Sequence, residues 1–363
     1  MRERKTLLYL LILSTFLISM MALLASADTG INSKAKSSAL YNPNTKSFLY
    51  QNNGDLRLPM ASTTKIVTAL IAIETLDMNE IILVPNEAVG VEGSSLYLKE
   101  GDMLTVRDLI YGVLLQSAND AATVLALRIS GNISDFADLM TQRAENAGAV
   151  NTHFENPHGL DSDQHYTTAR DLSLICAEAL CNDAFLEIVS TRKYTFKLGE
   201  ETRTIVNHNK LLTMYDGCIG VKTGYTKKSG RCLVSAAEKD GVRLIAVTLS
   251  DPNDWNDHIE MLDYGFDQLE QVDLSKTVVM PSAIPTVSSD GVTLGLALKK
   301  NSIVKFKADD LSYNIDIPNY IASDVKCGDK VGELTLKIGE NTEKIDIIAT
   351  NDVKIKRTSR RFL

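Results

Sequence analysis

The stretch Pro59-Met-Ala-Ser-Thr-Thr-Lys-Ile-Val-Thr-Ala-Leu-Ile-Ala-Ile-Glu-Thr-Leu76 decides how the rest of the chain is read. From Ser62 onward, Ile66, Val67, Ala69, Leu70, Ala72, Ile73 and Leu76 fall on more than one helical stripe. That pattern predicts a helix over Ser62 to Leu76 enclosed in a core, not one lying on a surface. A polar Ser-x-x-Lys step opens it. On a helix, positions i and i+3 share a face, so Lys65 reaches the Ser62 hydroxyl. A serine at a helix start also presents an unpaired backbone N–H, which suits it to an oxyanion hole. Serine is a weak nucleophile without an adjacent base. Lys65 serves as that base only when neutral. Its free pKa is about 10.4, so neutrality near pH 7 needs a fall of ~3 units, about 4 kcal/mol. Burial and a second cation both push in that direction.

Alone, the step is a weak signal, since S-x-x-K also begins at Ser33, Ser190, Ser302 and Ser323. Only Ser62 opens a strongly apolar helix. Two further motifs follow it, Ser117-Ala-Asn119 and Lys222-Thr-Gly224. Each has a bland reading: a polar break in a helical segment, and a strand end entering a turn. S-x-N recurs at Ser312, and Lys228-Ser-Gly230 nearly copies the third motif. What selects Ser62, Ser117 and Lys222 is their order on helix, inter-helix position and strand. Lys222 is then the second cation that Lys65 needs.

The chain has 363 residues, 44% hydrophobic and 23% charged, which fits a two-domain globular protein and excludes a polytopic membrane protein or a disordered chain. A net charge of −8 gives no broad electrostatic reason to bind nucleic acid. Arg2, Arg4 and Lys5 precede an apolar run from Leu7 to Leu24, and Ala25-Ser-Ala27 closes it. This reads as a signal peptide over residues 1–27, cleaved after Ala27, and places the protein outside the cytoplasm. The five cysteines are an odd, sparse set with no disulfide framework; most read as buried free thiols.

Residues 28–58 read as a hairpin around Asn42-Pro-Asn44. Thr105 to Ile129 is helical in character, and a further helix begins at Thr168, where Thr168 and Asp171 have capping-box spacing. Gly217–Gly224, Gly230–Ala237 and Val242–Leu249 read as successive strands. Strands at both ends with helices between them predict an α+β fold, a helix-covered, largely antiparallel sheet over 28–272. After Val272 helix signals vanish. Short alternating runs at 292–298, 303–307, 313–317, 332–338 and 344–348 predict a small all-β domain over 273–353. A basic tail, 354–363, follows. Its Lys354, Lys356, Arg357, Arg360 and Arg361 oppose the acidic remainder, so the expectation is weak, salt-sensitive contact with a membrane surface.

The order S-x-x-K, S-x-N, K-T-G resembles the active-site set of penicillin-binding proteins and class A β-lactamases. The surrounding text is closer to low-molecular-weight D-alanyl-D-alanine carboxypeptidases, the peptidase S11 family. It includes Pro59-Met-Ala-Ser-Thr-Thr-Lys65, Gly93-Ser-Ser-Leu, Leu98-Lys-Glu-Gly-Asp102, Leu114-Leu-Gln-Ser-Ala-Asn-Asp-Ala-Ala122, Asn156-Pro-His-Gly-Leu160 and His165-Tyr-Thr-Thr-Ala-Arg-Asp171. The resemblance spans roughly residues 30–350 and implies a DD-peptidase/β-lactamase-like fold. It implies a substrate, peptidoglycan pentapeptide ending in D-Ala-D-Ala, and inhibition by β-lactam antibiotics, with no cofactor or metal. By resemblance Ser62 is the nucleophile, Lys65 its base, and Ser117 a relay to the leaving D-alanine. Asn119 binds the substrate amide and Lys65; Lys222 and Thr223 hold the terminal carboxylate. Gly224 completes the third motif, and the N–H groups of Ser62 and Tyr225 form the oxyanion hole.

Four alternatives compete. A class A β-lactamase needs a glutamate base, and Glu155 stands 36 residues past Asn119. It lacks the E-x-x-L-N context, so it reads as a structural or surface residue. A metallopeptidase would use His153, His158 and His165, but their spacings fit no usual zinc pattern, and they read as hydrogen-bonding loop residues. A silent wall-binding protein and a DD-endopeptidase of the same fold are the remaining readings.

Overall fold

The computed structural model describes residues 30–356 except 289, 308 and 340. The signal-peptide reading of 1–27, and residues 357–363 of the basic tail, lie outside the described residues. In chain order the N-terminal part contains β1 (Ser37–Asn42), β2 (Ser47–Asn52), α1 (Lys65–Thr75), β3 (Ile81–Leu83), β4 (Met103–Thr105), α2 (Val106–Leu115), α3 (Asn119–Ser130), α4 (Ile133–Asn146), α5 (Ala169–Ala179) and α6 (Asp183–Ser190). It continues through β5 (Lys193–Leu198), β6 (Glu201–Val206), α7 (Leu211–Met214), β7 (Cys218–Thr226), β8 (Gly230–Lys239), β9 (Val242–Leu249) and α8 (Asp254–Asp267).

The main sheet is antiparallel, in the order β2-β1-β9-β8-β7, so the chain's first and later strands meet at its centre and β7 is an edge. Alternation along its strands serves two cores. Val234, Ala236, Ile245 and Val247 pack with the α1–α6 layer. Leu233, Ala237, Leu244 and Ala246 pack with Met261 and Leu262 of α8. Helix α1 packs against α2, α3, α4, α5 and α6, and Ile66 to Ala72 are buried without interruption. A helix so enclosed needs apolar residues all round, as its sequence has.

Three local readings are corrected. Ser62 does not start an α-helix; it sits in a 3-10 turn, Ala61–Thr64, and α1 begins at Lys65. The helical stretch Thr105 to Ile129 is divided at the inter-helix position read for Ser117. Gln116, Ser117 and Ala118 break it, with Ser117 left-handed at φ 62°. Thr168 does cap α5 by accepting from Asp171 N, but the Asp171 carboxylate turns away to Asn151 N and Thr152 Oγ1, at 2.6 and 2.9 Å. All five cysteines are free, yet only Cys176 and Cys232 are buried; Cys181 and Cys327 are exposed, which corrects the reading of most as buried.

Beyond α8 come β10 (Leu269–Asp273), a one-turn α9 (Leu274–Thr277) that the texture did not signal, β11 (Ala283–Pro285), β12 (Thr293–Leu298), β13 (Ser302–Phe306), β14 (Leu311–Asp316), β15 (Lys330–Ile338) and β16 (Asn341–Ala349). A sheet in the order β11-β12-β16-β15-β14 closes over its own core of Leu294, Leu334, Leu336, Ile345 and Ile347. Strand β10 pairs with β13, and Phe306 of β13 inserts into the core beneath α8. Lys356 of the tail pairs with Asp290 at 2.9 Å and donates its backbone N–H to Ser288. Among the described residues no helix is long and apolar enough to cross a membrane.

Candidate active site

The edge strand β7 runs beside the 3-10 turn that carries Ser62, and this juxtaposition builds the site. Only glycine permits the approach. A Cβ on Gly224 would stand 2.9 Å from Ser62 N, 3.1 Å from Ala61 Cβ and 3.2 Å from Met60 O. Gly159 supports the turn from the other side: its φ is +88°, and a Cβ there would fall 1.9 Å from Ala61 O.

Residues i and i+3 eclipse in a 3-10 turn, so Lys65 stands over Ser62, with Nζ 2.9 Å from Oγ. Lys65 Nζ also lies 2.6 Å from Asn119 Oδ1 and 2.6 Å from the His158 carbonyl oxygen. Those two oxygens only accept. A neutral amine has two N–H groups, which they consume, and its lone pair then faces the Ser62 hydroxyl. Lys65 is fully buried. Burial holds its pKa well below the usual lysine value, the Lys222 charge lowers it further, and Asp120 opposes both.

Asn119 is itself fixed. It begins α3, its N–H donates to Ser94 O at 2.7 Å, and Nδ2 donates to Glu92 O. Asp120 accepts from Ser95 Oγ, Leu96 N and Leu98 N at 2.6, 3.1 and 3.0 Å, lashing the 92–98 loop to the same helix start. Ser117, 5% exposed, projects from the break between α2 and α3.

Strand periodicity separates the third motif. Lys222 points toward Lys65 and the helical layer, 1% exposed, with Nζ donating to Thr223 O at 2.9 Å. Burial lowers its pKa to about 7 and no carboxylate compensates. Ser62, Ser117, Thr223, Gly224 and Tyr225 line one cleft of about 450 Å³. Lys65, Asn119 and Lys222 lie buried behind it. The structure thus brings all eight sequence-selected residues to one place.

The rejected readings are also located. Glu155 is exposed, and its carboxylate accepts from Ser162 at the surface. His165 Nδ1 accepts from Glu155 N at 3.0 Å, which leaves Nε2–H to donate to Thr64 Oγ1 at 2.7 Å. Burial holds His158 and His165 neutral, at about 3 and about 4. Among the described residues no His, Cys, Asp or Glu group is arranged to hold a metal. Sequence reasoning missed the His158 carbonyl, since a backbone acceptor has no residue signature. It also missed the anchoring role of Asp120, and missed His208, Arg231, Asp254 and Trp255 on the cleft wall.

A serine whose base is a buried lysine on the next helical turn, facing a K-T-G edge strand, defines an active-site-serine, penicillin-recognising peptidase fold. The family model for D-alanyl-D-alanine carboxypeptidase matches residues 23–253, and the chain belongs to that family. It is 32% identical over 337 residues to D-alanyl-D-alanine carboxypeptidase DacF of Bacillus subtilis (strain 168), covering 88% of this chain and 86% of the relative. It is 30% identical over 334 residues to DacC of Escherichia coli (strain K12), covering 84% and 81%. The crystal structure of DacD from Francisella tularensis superposes with a TM-score of 0.63 at 28% identity, over 90% of this chain and 95% of that one. The Streptomyces K15 DD-transpeptidase gives 0.62 at 32% identity, over 65% and 98%.

Proposed function

We propose that this chain is an exported serine-type D-Ala-D-Ala carboxypeptidase that removes the terminal D-alanine from peptidoglycan stem peptides and is acylated by penicillin. Residues 28–272 perform the chemistry and 273–353 form an accessory β domain. Ser62 Oγ attacks the carbonyl between the two D-alanines while its proton passes to the Lys65 amine. The N–H groups of Ser62 and Tyr225 face the developing oxyanion. The C–N bond breaks as that proton is relayed from Lys65 through the Ser117 hydroxyl to the departing amine, releasing D-alanine, leaving an ester on Ser62 and returning Lys65 to its neutral form. Water then adds to that ester, and the shortened peptide departs. Asn119 orients Lys65 and the substrate amide, and Thr223 lies on the cleft wall at the carboxylate end. The observation that supports this most is the buried Ser62–Lys65–Asn119 chain, which has two fixed carbonyl acceptors for a neutral lysine.

The test is release of D-alanine from an N-acylated peptide ending in D-Ala-D-Ala. Wild-type protein should release one D-alanine per peptide, and Ser62→Ala none above background. Protein that binds the peptide without releasing D-alanine would overturn the reading.

A further inference from the structure

Arg231 stands directly opposite Tyr225 in the β7–β8 pairing, and opposed residues share a face of the sheet. Residues two apart also share a face, so Thr223 lies on the Arg231 side and Lys222 on the other. The exit of the cleft past Thr223 is therefore walled by Arg231, Asp254 and Trp255. Asp254, at the start of α8 and buried, takes Arg231 Nε and Nη2 at 3.0 and 2.7 Å. The Asp254 carboxylate is itself held by Trp255 N at 2.9 Å, and the Trp255 ring lies 5.7 Å from the guanidinium carbon. This grip fixes one edge of a planar fork whose Nη1 donors are not used by Asp254, on a side chain 43% exposed.

We infer that Arg231, held by Asp254, is the charge partner of the substrate's terminal carboxylate, and that Lys222 serves the Ser62–Lys65 side of the cleft instead. Two contrasts between the cations support this. Lys222 Nζ is turned inward, bonded to Thr223 O, and almost wholly buried. Arg231 is a permanent cation with donors on the face of the Thr223 hydroxyl, and a guanidinium fork matches a carboxylate where a point charge does not. The burial that brings Lys222 near neutrality agrees with the assignment. Asp254 acts through Arg231 and is a positioning residue: it takes Nε and one Nη2 hydrogen and so fixes the guanidinium with its remaining donors on the cleft wall. This inference rests on the carboxypeptidase reading and names the group that gives it C-terminal specificity.

The experiment compares N-acylated D-Ala-D-Ala as free acid and as C-terminal amide, from pH 6 to 9. The wild type should favour the acid in kcat/KM, with KM for the acid flat across that range. Arg231→Gln should raise KM for the acid at least tenfold and shrink the acid-to-amide ratio by a similar factor; Arg231→Lys should recover part of it. Asp254→Asn should raise KM while holding kcat within about threefold, and Asp254→Glu should restore it. Because Arg231→Gln strands a buried carboxylate, the double variant Arg231→Gln/Asp254→Asn provides a folded comparison, checked by thermal melting, with the same loss of preference. An unchanged acid-to-amide ratio in folded variants, or a wild-type KM that climbs as pH passes 7, would overturn the assignment and return the carboxylate to Lys222. A wild type that releases no D-alanine from either peptide would instead overturn the carboxypeptidase reading.

Discussion

Replacing Gly224 by alanine tests whether the edge strand and the Ser62 turn form one rigid unit. The new Cβ would meet Ser62 N at 2.9 Å, Ala61 Cβ at 3.1 Å and Met60 O at 3.2 Å. Two of these neighbours are main-chain atoms, and Ala61 Cβ is fixed to the main chain of a turn in which Ala61 has φ 46°. None yields by rotating a side chain. Ordinary contact begins near 3.4 Å, so β7 and the turn must separate by several tenths of an ångström. Catalytic groups tolerate roughly 0.5 Å of displacement, and about 1 Å costs on the order of a hundredfold. We therefore expect the second-order rate of Ser62 acylation by penicillin to fall roughly 10- to 100-fold, or about 1.4–2.7 kcal/mol in the barrier. Overpacking should also lower stability by about 1–3 kcal/mol. Gly101→Ala separates the two effects: its φ is +83° and its Cβ meets nothing within 4 Å, so it strains the backbone at a residue outside the cleft lining. Stopped-flow acylation and thermal melting, measured on both variants, make the comparison. Gly224→Ala acylating within a factor of two of wild type would refute the claim that the turn and strand are rigidly coupled.

Lys65→Met should abolish D-alanine release, on the order of 10²–10⁴-fold or more. It should also lower the melting temperature, because the buried Asn119 Oδ1 and His158 carbonyl oxygen lose their shared donor; an unchanged or raised melting temperature would contradict the hydrogen-bond argument. Stability should also fall with acid. His158, His165 and His258 are held neutral in the folded state at about 3, 4 and 3, below the unfolded value near 6.5. The unfolded chain binds their protons first, so stability is full above pH 6.5 and is lost progressively as pH falls toward 3. For His258, gripped between Ser235 Oγ and Thr248 Oγ1, the loss amounts to at most about 5 kcal/mol. Urea titrations at pH 7, 6, 5 and 4 should show this slope, and His258→Gln should flatten it.

How much of this was legible in the sequence depends on the kind of signal. The hairpin around Asn42-Pro-Asn44, the strands near 217–249 and the alternating runs after 292 were readable because period-two patterns and turn residues act locally. The enclosure of α1 was readable because it is apolar on every side. The break at Ser117 was readable only from its polar S-x-N motif, and the left-handed turn of Ser117 itself has no signature in periodicity. The 3-10 turn under Ser62 was equally silent, since S-x-x-K keeps the same partners in either helix type. Lys222 was found by its motif, and its electrostatic effect on Lys65 followed from charge alone. The His158 carbonyl, and the Arg231–Asp254 pair joined across 23 residues of chain, arise only when strands and loops are brought together. The exposed thiols of Cys181 and Cys327 show the limit of residue type as a guide to burial.

The central claim is that Ser62, activated by a neutral Lys65, is the residue that forms the acyl-enzyme. Incubating purified protein with penicillin and measuring intact mass, followed by peptide mapping, tests it most directly. One penicilloyl group should be added on the peptide containing Ser62, and none on Ser62→Ala. Label at another residue, or label that survives Ser62→Ala, would contradict it.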